Sequence, residues 1–481
     1  MRLTLVQRIL GLFLGLFSIT LIPPLLVALW YQDGELRDFG ITFALTLVTG
    51  LLLYLPVRNM RQELRTREGF VVVAMFWLVL GMISSLPLHF GSHLGFVDAL
   101  FESVSGFTTT GATVITGLDA LPRSILFYRA ELQWLGGMGV IVLAVAILPM
   151  LGVGGMQLYR AETPGPMKDE KITPRLAHTA RAFWFIYAGL TMMCALGYWG
   201  AGMSLFDAVT HSFATISTGG FSTHDASMSY FHSTYIEVIA IVFMAMGGIN
   251  FSIHYLVWAR GAPESYWRDT EVRTFILTLV GLTLILTLGL VLNHFNEDFF
   301  SALRESAFQA VSVMTSTGFT TTNFAVWPLF LPALLMMSSF IGGCAGSTAG
   351  GMKVIRFVIL YKQSHRDLRR LVHPNMVDKL KVGGRVLPDR AVAAVWGFFA
   401  MYVATFTVLM LLLMASGLDQ VTAFSAIATC INNLGPGLGE VTSNFQSVNA
   451  FAKLVCTAAM LLGRLEVFTV LVLLTPAFWR R

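Results

Sequence analysis

The chain has 481 residues, 55% of them hydrophobic and 12% charged, with a net charge of +5 and a mean hydropathy of +0.70. Soluble domains carry roughly 25% charged residues, so this composition excludes a soluble enzyme and describes a polytopic membrane protein. The longest polar interval, about 361–390, has only some 30 residues and hides no soluble domain.

The positive charge is not a nucleic-acid signature. Lys and Arg gather at Arg2 and Arg8, at Arg58 to Arg67, at Arg160 to Arg181, at Arg260 to Arg273, from Lys362 to Arg390, and at Arg480 and Arg481. The alternate polar segments carry Asp33, Glu35, Asp38, Asp119, Asp225, Glu297, Asp298 and Glu440. This is the positive-inside bias, which makes the basic segments and both termini cytoplasmic. The four cysteines, Cys194, Cys344, Cys430 and Cys456, show no CxxC spacing and read as packing residues.

In chain order, two helices come first, about Leu5 to Tyr31, interrupted by Pro23 and Pro24, and about Phe39 to Val57. The first apolar run continues without a small-residue cleavage site, so it reads as a membrane helix and not a signal peptide. Next comes a helix about Gly69 to Phe90, a short segment FVDALFESVSGF ending in TTTGA, and a long helix about Ile125 to Met150. The short segment cannot cross about 30 Å of hydrocarbon. It reads as a re-entrant half-helix, whose non-helical return survives at membrane depth only under cover of protein or beside a water-filled cavity.

The pattern recurs three times. The second unit has a helix about Ala182 to Trp199, a half-helix from near Asp207, ISTGGF, and a return about Tyr235 to Trp258. The third has Thr274 to Leu292, a half-helix after Asn296, Glu297 and Asp298, TSTGF, and a return about Leu329 to Tyr361. The fourth has Ala391 to Met414, a half-helix from Asp419, NNLGPG, and a return about Val448 to Phe478. The chain thereby divides at 1–66, 67–176, 177–270, 271–388 and 389–481. Gly111, Gly219, Gly318 and Gly435 lie 108, 99 and 117 residues apart, and the second landmarks GGMGVIV, GGINFSI, GGMKVIR and GRLEVFT follow them at 25, 28, 32 and 28 residues.

The predicted fold is all-α: two N-terminal helices plus four helix, re-entrant loop, helix repeats in pseudo-fourfold arrangement around one pore. Thr109, Thr110, Ser217, Thr218, Ser316, Thr317, Asn433 and Leu434 supply hydroxyl and carbonyl oxygens that replace the hydration shell of a monovalent cation. The four filter glycines keep the backbone close to the axis. The half-helix C-termini, with their negative dipole ends, favour cations over anions.

FTTTGA, STGGF, TSTGF and NNLGPG, with FIGGCAGSTAGGMK and LLGRLE in the later return helices, resemble the TrkH/TrkG/KtrB superfamily of bacterial potassium transporters over essentially the whole chain. The length and the two extra N-terminal helices favour its TrkH branch. The resemblance implies potassium uptake across the bacterial inner membrane and a homodimer. It also implies a cytosolic TrkA-like regulatory partner that binds nucleotide, while this chain binds none. One glycine per repeat, against the two of the potassium-channel TVGYG, implies fewer formed sites and weaker exclusion of sodium.

The stretch Gly342 to Gly351, with Gly343, Gly346 and Gly350, is too glycine-rich for stable helix. A phosphate loop would need Lys-Ser/Thr where Met352 follows. A close helix-packing face and an intramembrane gating loop remain, the resemblance and the extra residues favouring the loop. Arg464 stands where the other repeats have Gly137, Gly248 and Gly351, either as a structural arginine on the loop carbonyls or as an electrostatic barrier and gate latch. Glu466 is expected to pair with Lys353. Asp98, Glu102, Asp207 and Asp419 read as half-helix caps, and His89 and His93 as interfacial residues. The ten histidines form no metal or catalytic spacing. A sodium- or proton-coupled symporter stays open as the alternative, needing a buried acid near the binding site.

Overall fold

The computed structural model of the chain describes residues 3–59, 66–142, 172–295, 298–376 and 378–480. Arg2, Arg61, Arg65, Arg160, Lys168, Lys171, Asn296, Glu297, Arg481 and the expected run of the first return helix to Met150 lie outside them.

Helix α1 (Leu3–Thr20) turns at Leu21 into α2 (Ile22–Tyr31), whose first turn takes Pro23 and Pro24 where no amide donor is needed. Helix α3 (Leu36–Tyr54) returns antiparallel to α1, Gln7 Nε2 donating to the Leu53 carbonyl at 3.1 Å. The spacing GLFLG in α1 makes this contact close: a Cβ on Gly50 would stand 2.8 Å from the Gly15 amide nitrogen, and one on Gly11 2.7 Å from that of Tyr54.

Each repeat then packs a crossing helix, a half-helix and a return. The first has α4 (Thr66–Ile83), the half-helix α5 (Phe96–Phe107) and α6 (Arg123–Val142). The second has α7 (Ile172–Gly200), half-helix α8 (Leu205–Ile216), α9 (Thr234–Gly247) and α10 (Phe251–Arg260). The third has α11 (Thr270–Leu292), half-helix α12 (Phe299–Met314), α13 (Leu331–Ile341) and α14 (Val354–Val372). A two-residue hairpin, β1 (Lys381–Val382) with β2 (Arg385–Val386), leads to α15 (Asp389–Ala415), half-helix α16 (Gln420–Asn432), α17 (Ala450–Arg464) and α18 (Phe468–Leu474) of the fourth. Among the described residues six helices are long and apolar enough to cross a membrane, or eight spans if each bent pair counts as one.

Several local expectations change. The predicted helix Gly69 to Phe90 holds as one span, Arg67–Phe90, with a turn at Ser84 and Ser85 between α4 and a short helix Leu86–Phe90 that carries Pro87 in its first turn. Asp419 and Asp298 cap their half-helices, Asp419 Oδ2 accepting from the Val421 amide at 2.9 Å and Asp298 Oδ2 from Ser301 at 2.9 Å. At α8 the cap is Ser204, with Asp207 in the first turn bonded back to the Ser204 hydroxyl at 2.6 Å. Asp98 lies in the first turn of α5 and pairs with Lys453 of α17 at 2.7 Å. Glu102 is no cap, being fully buried in the middle of α5.

The larger change concerns the return helices. Only the third was expected to be interrupted, yet the second bends by 99° and the fourth by 112° at the same landmark. In the second, Asn250 restarts the helix by accepting from the Ser252 amide at 2.8 Å. In the fourth, Glu466 and Val467 take positive φ of 53° and 29°.

Overpacking of close helix contacts costs about 1–3 kcal/mol. Gly50→Val is therefore expected to separate α1 from α3 and lower the thermal midpoint of the purified protein, while Gly40→Val, with open space around its Cβ position, leaves it unchanged.

Candidate functional site

The four half-helices end in the same way. Thr109, Thr218, Ser316 and Asn433 have φ of 55°, 52°, 56° and 54°. The amide of the next residue reaches back five positions: Thr110 to Ser105, Gly219 to Ala214, Thr317 to Ser312 and Leu434 to Thr429, each at 2.8 Å. This is the Schellman closure of a helix C-terminus, normally built on glycine. A threonine, serine or asparagine held in left-handed conformation is strained, and such strain persists where the surroundings over-determine it.

The shared geometry moves the register of the second repeat by one residue. Thr218 matches Thr109, so Gly219 matches Thr110 and Gly220 matches Gly111. Ser217 corresponds to Thr108, the C-cap of α5. By backbone geometry the counterpart of Gly111, Gly318 and Gly435 is Gly220 and not the expected Gly219, its φ being 79° beside 78°, 83° and 100°. The sequence STGG offered two adjacent glycines, and only the backbone distinguishes them.

The corrected register closes a ring. A Cβ on Gly111 would stand 2.1 Å from the carbonyl oxygen of Gly219, on Gly220 1.8 Å from that of Thr317, on Gly318 2.0 Å from that of Leu434, and on Gly435 2.9 Å from that of Thr110. Each repeat therefore brings a glycine against a backbone carbonyl of the next, and the fourth meets the first. Side-chain hydroxyls mainly brace this ring: Thr108 bonds Thr110, and Thr315 bonds Thr317, each Oγ1 to Oγ1 at 2.8 Å. Asn433 Nδ2 donates to Thr110 Oγ1 at 2.9 Å and to the Met460 carbonyl at 3.1 Å. Asn432 is held by Tyr402 at 2.5 Å and Ser339 at 3.0 Å. The amides of NNL tie the fourth repeat to its neighbours, leaving carbonyl oxygens as the chemistry common to all four. Rings of backbone carbonyls are the donor set with which ion-selective pores replace the waters around a cation.

Behind the ring lies a buried ion pair that the sequence reading missed. Arg129 of α6 meets Glu102 at 2.8 Å, with side chains 1% and 0% exposed. Glu102 also accepts from the Val114 amide at 2.8 Å and the Thr113 hydroxyl at 2.9 Å, and Arg129 Nη1 donates to the Ser222 carbonyl at 3.1 Å. One turn on, Gln133 donates to the Gly219 carbonyl at 2.7 Å and accepts from the Phe221 amide at 3.0 Å. The signal was in the sequence: charges inside the apolar run ILFYRAELQW of α6 are costly without a partner.

On one side of the ring opens a cavity of about 310 Å³, lined by Gly111, Gly220, Gly318 and Gly435 and by the segments that follow them. On its wall His224 joins the first two repeats, bonded to Asp119 and 3.5 Å from Asp207, with its ring stacked on Tyr230. Asp225 accepts from the amides of Gly117 and Leu118 at 3.1 and 3.0 Å.

On the other side lies the segment Gly342 to Lys353, crossing beneath the ring from the second repeat to the fourth. The Cys344 amide donates to the Gly248 carbonyl at 2.8 Å, Thr348 Oγ1 to the Ile216 and Gly247 carbonyls at 3.0 Å each, and the Gly351 amide to the Asn432 carbonyl at 3.2 Å. The Gly350 amide reaches Ser316 Oγ at 2.5 Å. A Cβ on Gly350 would stand 2.0 Å from the Asn432 carbonyl, and one on Gly343 2.9 Å from that of Gly248. Glu271, in the first turn of α11, accepts from the amides of Ala345 at 2.7 Å and Ile355 at 3.1 Å, fastening both ends of the segment. Gly346 accepts from the Phe251 amide at 3.1 Å.

Arg464, 5% exposed, donates from Nη1 to the Thr348 carbonyl at 3.0 Å and reaches the Gly136 carbonyl at 3.5 Å. The guanidinium thus touches the segment from the return helix of the adjacent fourth repeat and reaches the first repeat. Glu466 does not pair with Lys353: its partner is Arg356, 2.6 Å away, while Lys353 donates to the Ala349 carbonyl. The turn at Leu465 to Val467 swings Glu466 toward α14, which a continuous helix would not have done.

Two outcomes follow. Leaving a buried charge unpaired costs about 3–5 kcal/mol, so Arg129→Met is expected to destabilise the protein more than Glu102→Leu with Arg129→Met together, checked by thermal unfolding in detergent. His224 is half-buried, which alone lowers its pKa, but hydrogen bonds and charge from Asp207 and Asp119 outweigh this and raise it above the ordinary 6.5. A raised folded value means that the stabilisation is complete below the ordinary value and is lost as pH rises through the folded one. The difference in thermal midpoint between the parent and His224→Gln is therefore expected to shrink with rising pH; a difference constant from pH 5 to 9 contradicts it.

Comparison with known proteins agrees with this architecture. The Trk system potassium uptake protein TrkH of Vibrio parahaemolyticus is 56% identical over 477 residues, covering 98% of each chain. TrkH of Escherichia coli is 54% identical over 99% of each, and the E. coli TrkG protein is 43% identical over 99% of this chain and 98% of its own. The crystal structure of the potassium transporter TrkH from V. parahaemolyticus superposes with a TM-score of 0.94 at 52% identity, covering all of both chains. The family model described as a cation transport protein matches residues 36–481, and the chain belongs to this TrkH family.

Proposed function

We propose that this chain carries potassium across the bacterial inner membrane through the ring of Thr110, Gly219, Thr317 and Leu434 carbonyls, with Gly111, Gly220, Gly318 and Gly435 as its glycines. As a member of a cation transport family it is a transport protein and not an enzyme. The observation that carries the reading is the closed backbone ring between a cavity of about 310 Å³ and a strap of small residues. Thr109, Thr218, Ser316 and Asn433 hold the turns, and relatives over half identical are named for potassium uptake. The repeats divide near residues 66, 176, 270 and 388.

The segment 342–351 is the gate and Arg464 its latch. The segment blocks the path beneath the ring, and the guanidinium places a positive charge on that path, opposing a cation electrostatically as well as sterically. The basic termini and basic connections support a cytoplasmic location for both ends, and the strap lies on that side. Family membership supports a homodimer and a cytosolic TrkA-like regulatory subunit that binds nucleotide. This chain binds none.

Ion-coupled symport has less support. It needs a buried acid at the ion path, and Glu131, buried with Oε2 lacking a hydrogen-bond partner, is two residues from both Arg129 and Gln133. At 3.6 residues per turn that puts it on nearly the opposite side of α6 from the ring.

Potassium-dependent growth of a bacterium lacking its own uptake systems tests the proposal, with sodium and potassium fluxes measured in liposomes. Gly220→Ala is expected to abolish uptake, because its Cβ would meet the Thr317 carbonyl. Gly219→Ala is expected to impair uptake less than Gly220→Ala, because the obstacle there is the Gln133 side chain and not a backbone carbonyl. Arg464→Ala, or removal of Ser347 to Ala349, is expected to raise cation leak. Unchanged flux in both rejects the gate, and strong exclusion of sodium rejects the weak-selectivity expectation.

A further inference from the structure

Far from the ring, the strap continues into α14, which leaves the pore and runs beside the starts of two spanning helices. Its inner face, Ile355 and Ile359, packs with Leu380, Val382, Leu387, Val392 and Val395 from the hairpin and α15. Its outer face is unusual for a helix between membrane spans. Tyr361, Leu368, Leu371 and Val372 are 74%, 64%, 80% and 72% exposed. These positions fall on one stripe at 3.6 residues per turn, and Lys362, His365 and Arg369 lie along its edge. An exposed apolar stripe edged by bases is the pattern of a helix seated at the headgroup boundary.

Between α14 and the hairpin is a cavity of about 300 Å³, lined by Lys362, His365, Arg366, Asp378, Lys379 and Lys381 among others. Four of these six side chains are permanent cations and one is an acid. At its wall is Arg366, whose side chain is only 8% exposed. Its Nη1 makes two long contacts, 3.4 Å to the Asp378 carbonyl and 3.4 Å to Asp389 Oδ1, while its buried Nε has no hydrogen-bond partner. Lys362 is held to the wall by the Lys381 carbonyl at 2.8 Å. A buried guanidinium with an idle donor is costly unless an acceptor reaches it, and a tetrahedral anion suits its planar fork. Asp389 is the first residue of the spanning helix α15, so the cavity stands at the height where phosphate groups of the lipid lie.

We propose that this cavity is a phosphate site, in which Arg366 with Lys362 and the Lys379–Lys381 rim binds a phosphate-bearing anion. The apolar stripe and the position of Asp389 favour the phosphodiester of an anionic phospholipid as its source. A soluble phosphate uses the same donors and is distinguished by experiment. Because α14 continues directly from the strap, occupancy of the site ties α14, the strap's outer arm, to the membrane surface.

The test uses the full chain purified in detergent, with Arg366→Gln, and with Lys379→Gln plus Lys381→Gln on the exposed rim should the buried substitution impair folding. One arm counts phosphatidylglycerol and phosphatidylcholine retained in native mass spectrometry; the other follows the thermal midpoint on adding inorganic phosphate, with chloride of equal ionic strength as control. Retention of phosphatidylglycerol over phosphatidylcholine, weakened about tenfold in either variant, supports the site with a lipid source. A phosphate-dependent rise in midpoint that the variants lose supports it with a soluble source. Equal response of parent and variants to both probes overturns the proposal.

Discussion

Everything in this molecule depends on one constraint: a backbone that leaves helical geometry at membrane depth must have its polar groups covered by protein or water. Four half-helices stop there, and each is closed by the same Schellman turn on a residue with φ near 54°. The turn satisfies the last amides internally and leaves the following carbonyls available. These groups find no cover within their own repeat. They are covered because the preceding repeat brings a glycine against them, around a ring that closes from the fourth back to the first.

The same constraint explains the uneven support around the ring. In the first two repeats a buried Glu102–Arg129 pair and Gln133 satisfy the backbone leaving the turns. In the third and fourth, Ser312, Asn432 and Asn433 do so with neutral side chains: the Ser312 hydroxyl donates to the Phe319 carbonyl at 2.6 Å. Beneath, the glycine-rich segment is not loose. Its amides and the Thr348 hydroxyl are bonded to carbonyls of the second and fourth repeats, and Glu271 anchors its two ends. Displacing this segment means exchanging several backbone hydrogen bonds together, and Arg464 is the charged group joined to that exchange.

Much of the fold was legible in the sequence because membrane spans and half-helices leave strong signals in apolar length, and because a unit seen four times carries information that one copy does not. Asp298 and Asp419 announced their half-helix starts as acids and cap them. The bends of the second and fourth return helices were signalled more faintly, by GGIN and GRLEV. Arg129 stood in plain view within an apolar helix, but its partner Glu102 is 27 residues away on another element, a distance that helical periodicity does not span. Aligning the repeats as straight helices sets Glu466 against Lys353, whereas the positive φ at Glu466 and Val467 turns it to Arg356.

By itself the sequence determined that this is a fourfold-repeated membrane protein, with half-helices ending in small and hydroxyl residues and with bases and acids gathered in alternate polar segments. It also marked Gly342 to Gly351 and Arg464 as departures from the repeat. Only the tertiary structure decided which of two adjacent glycines joins the ring, that Asn433 binds across to Thr110, and that Arg464 rests on Thr348. The physical reason is that composition and period act along the chain, whereas register at a backbone contact depends on which oxygen of another repeat occupies the space a Cβ would need.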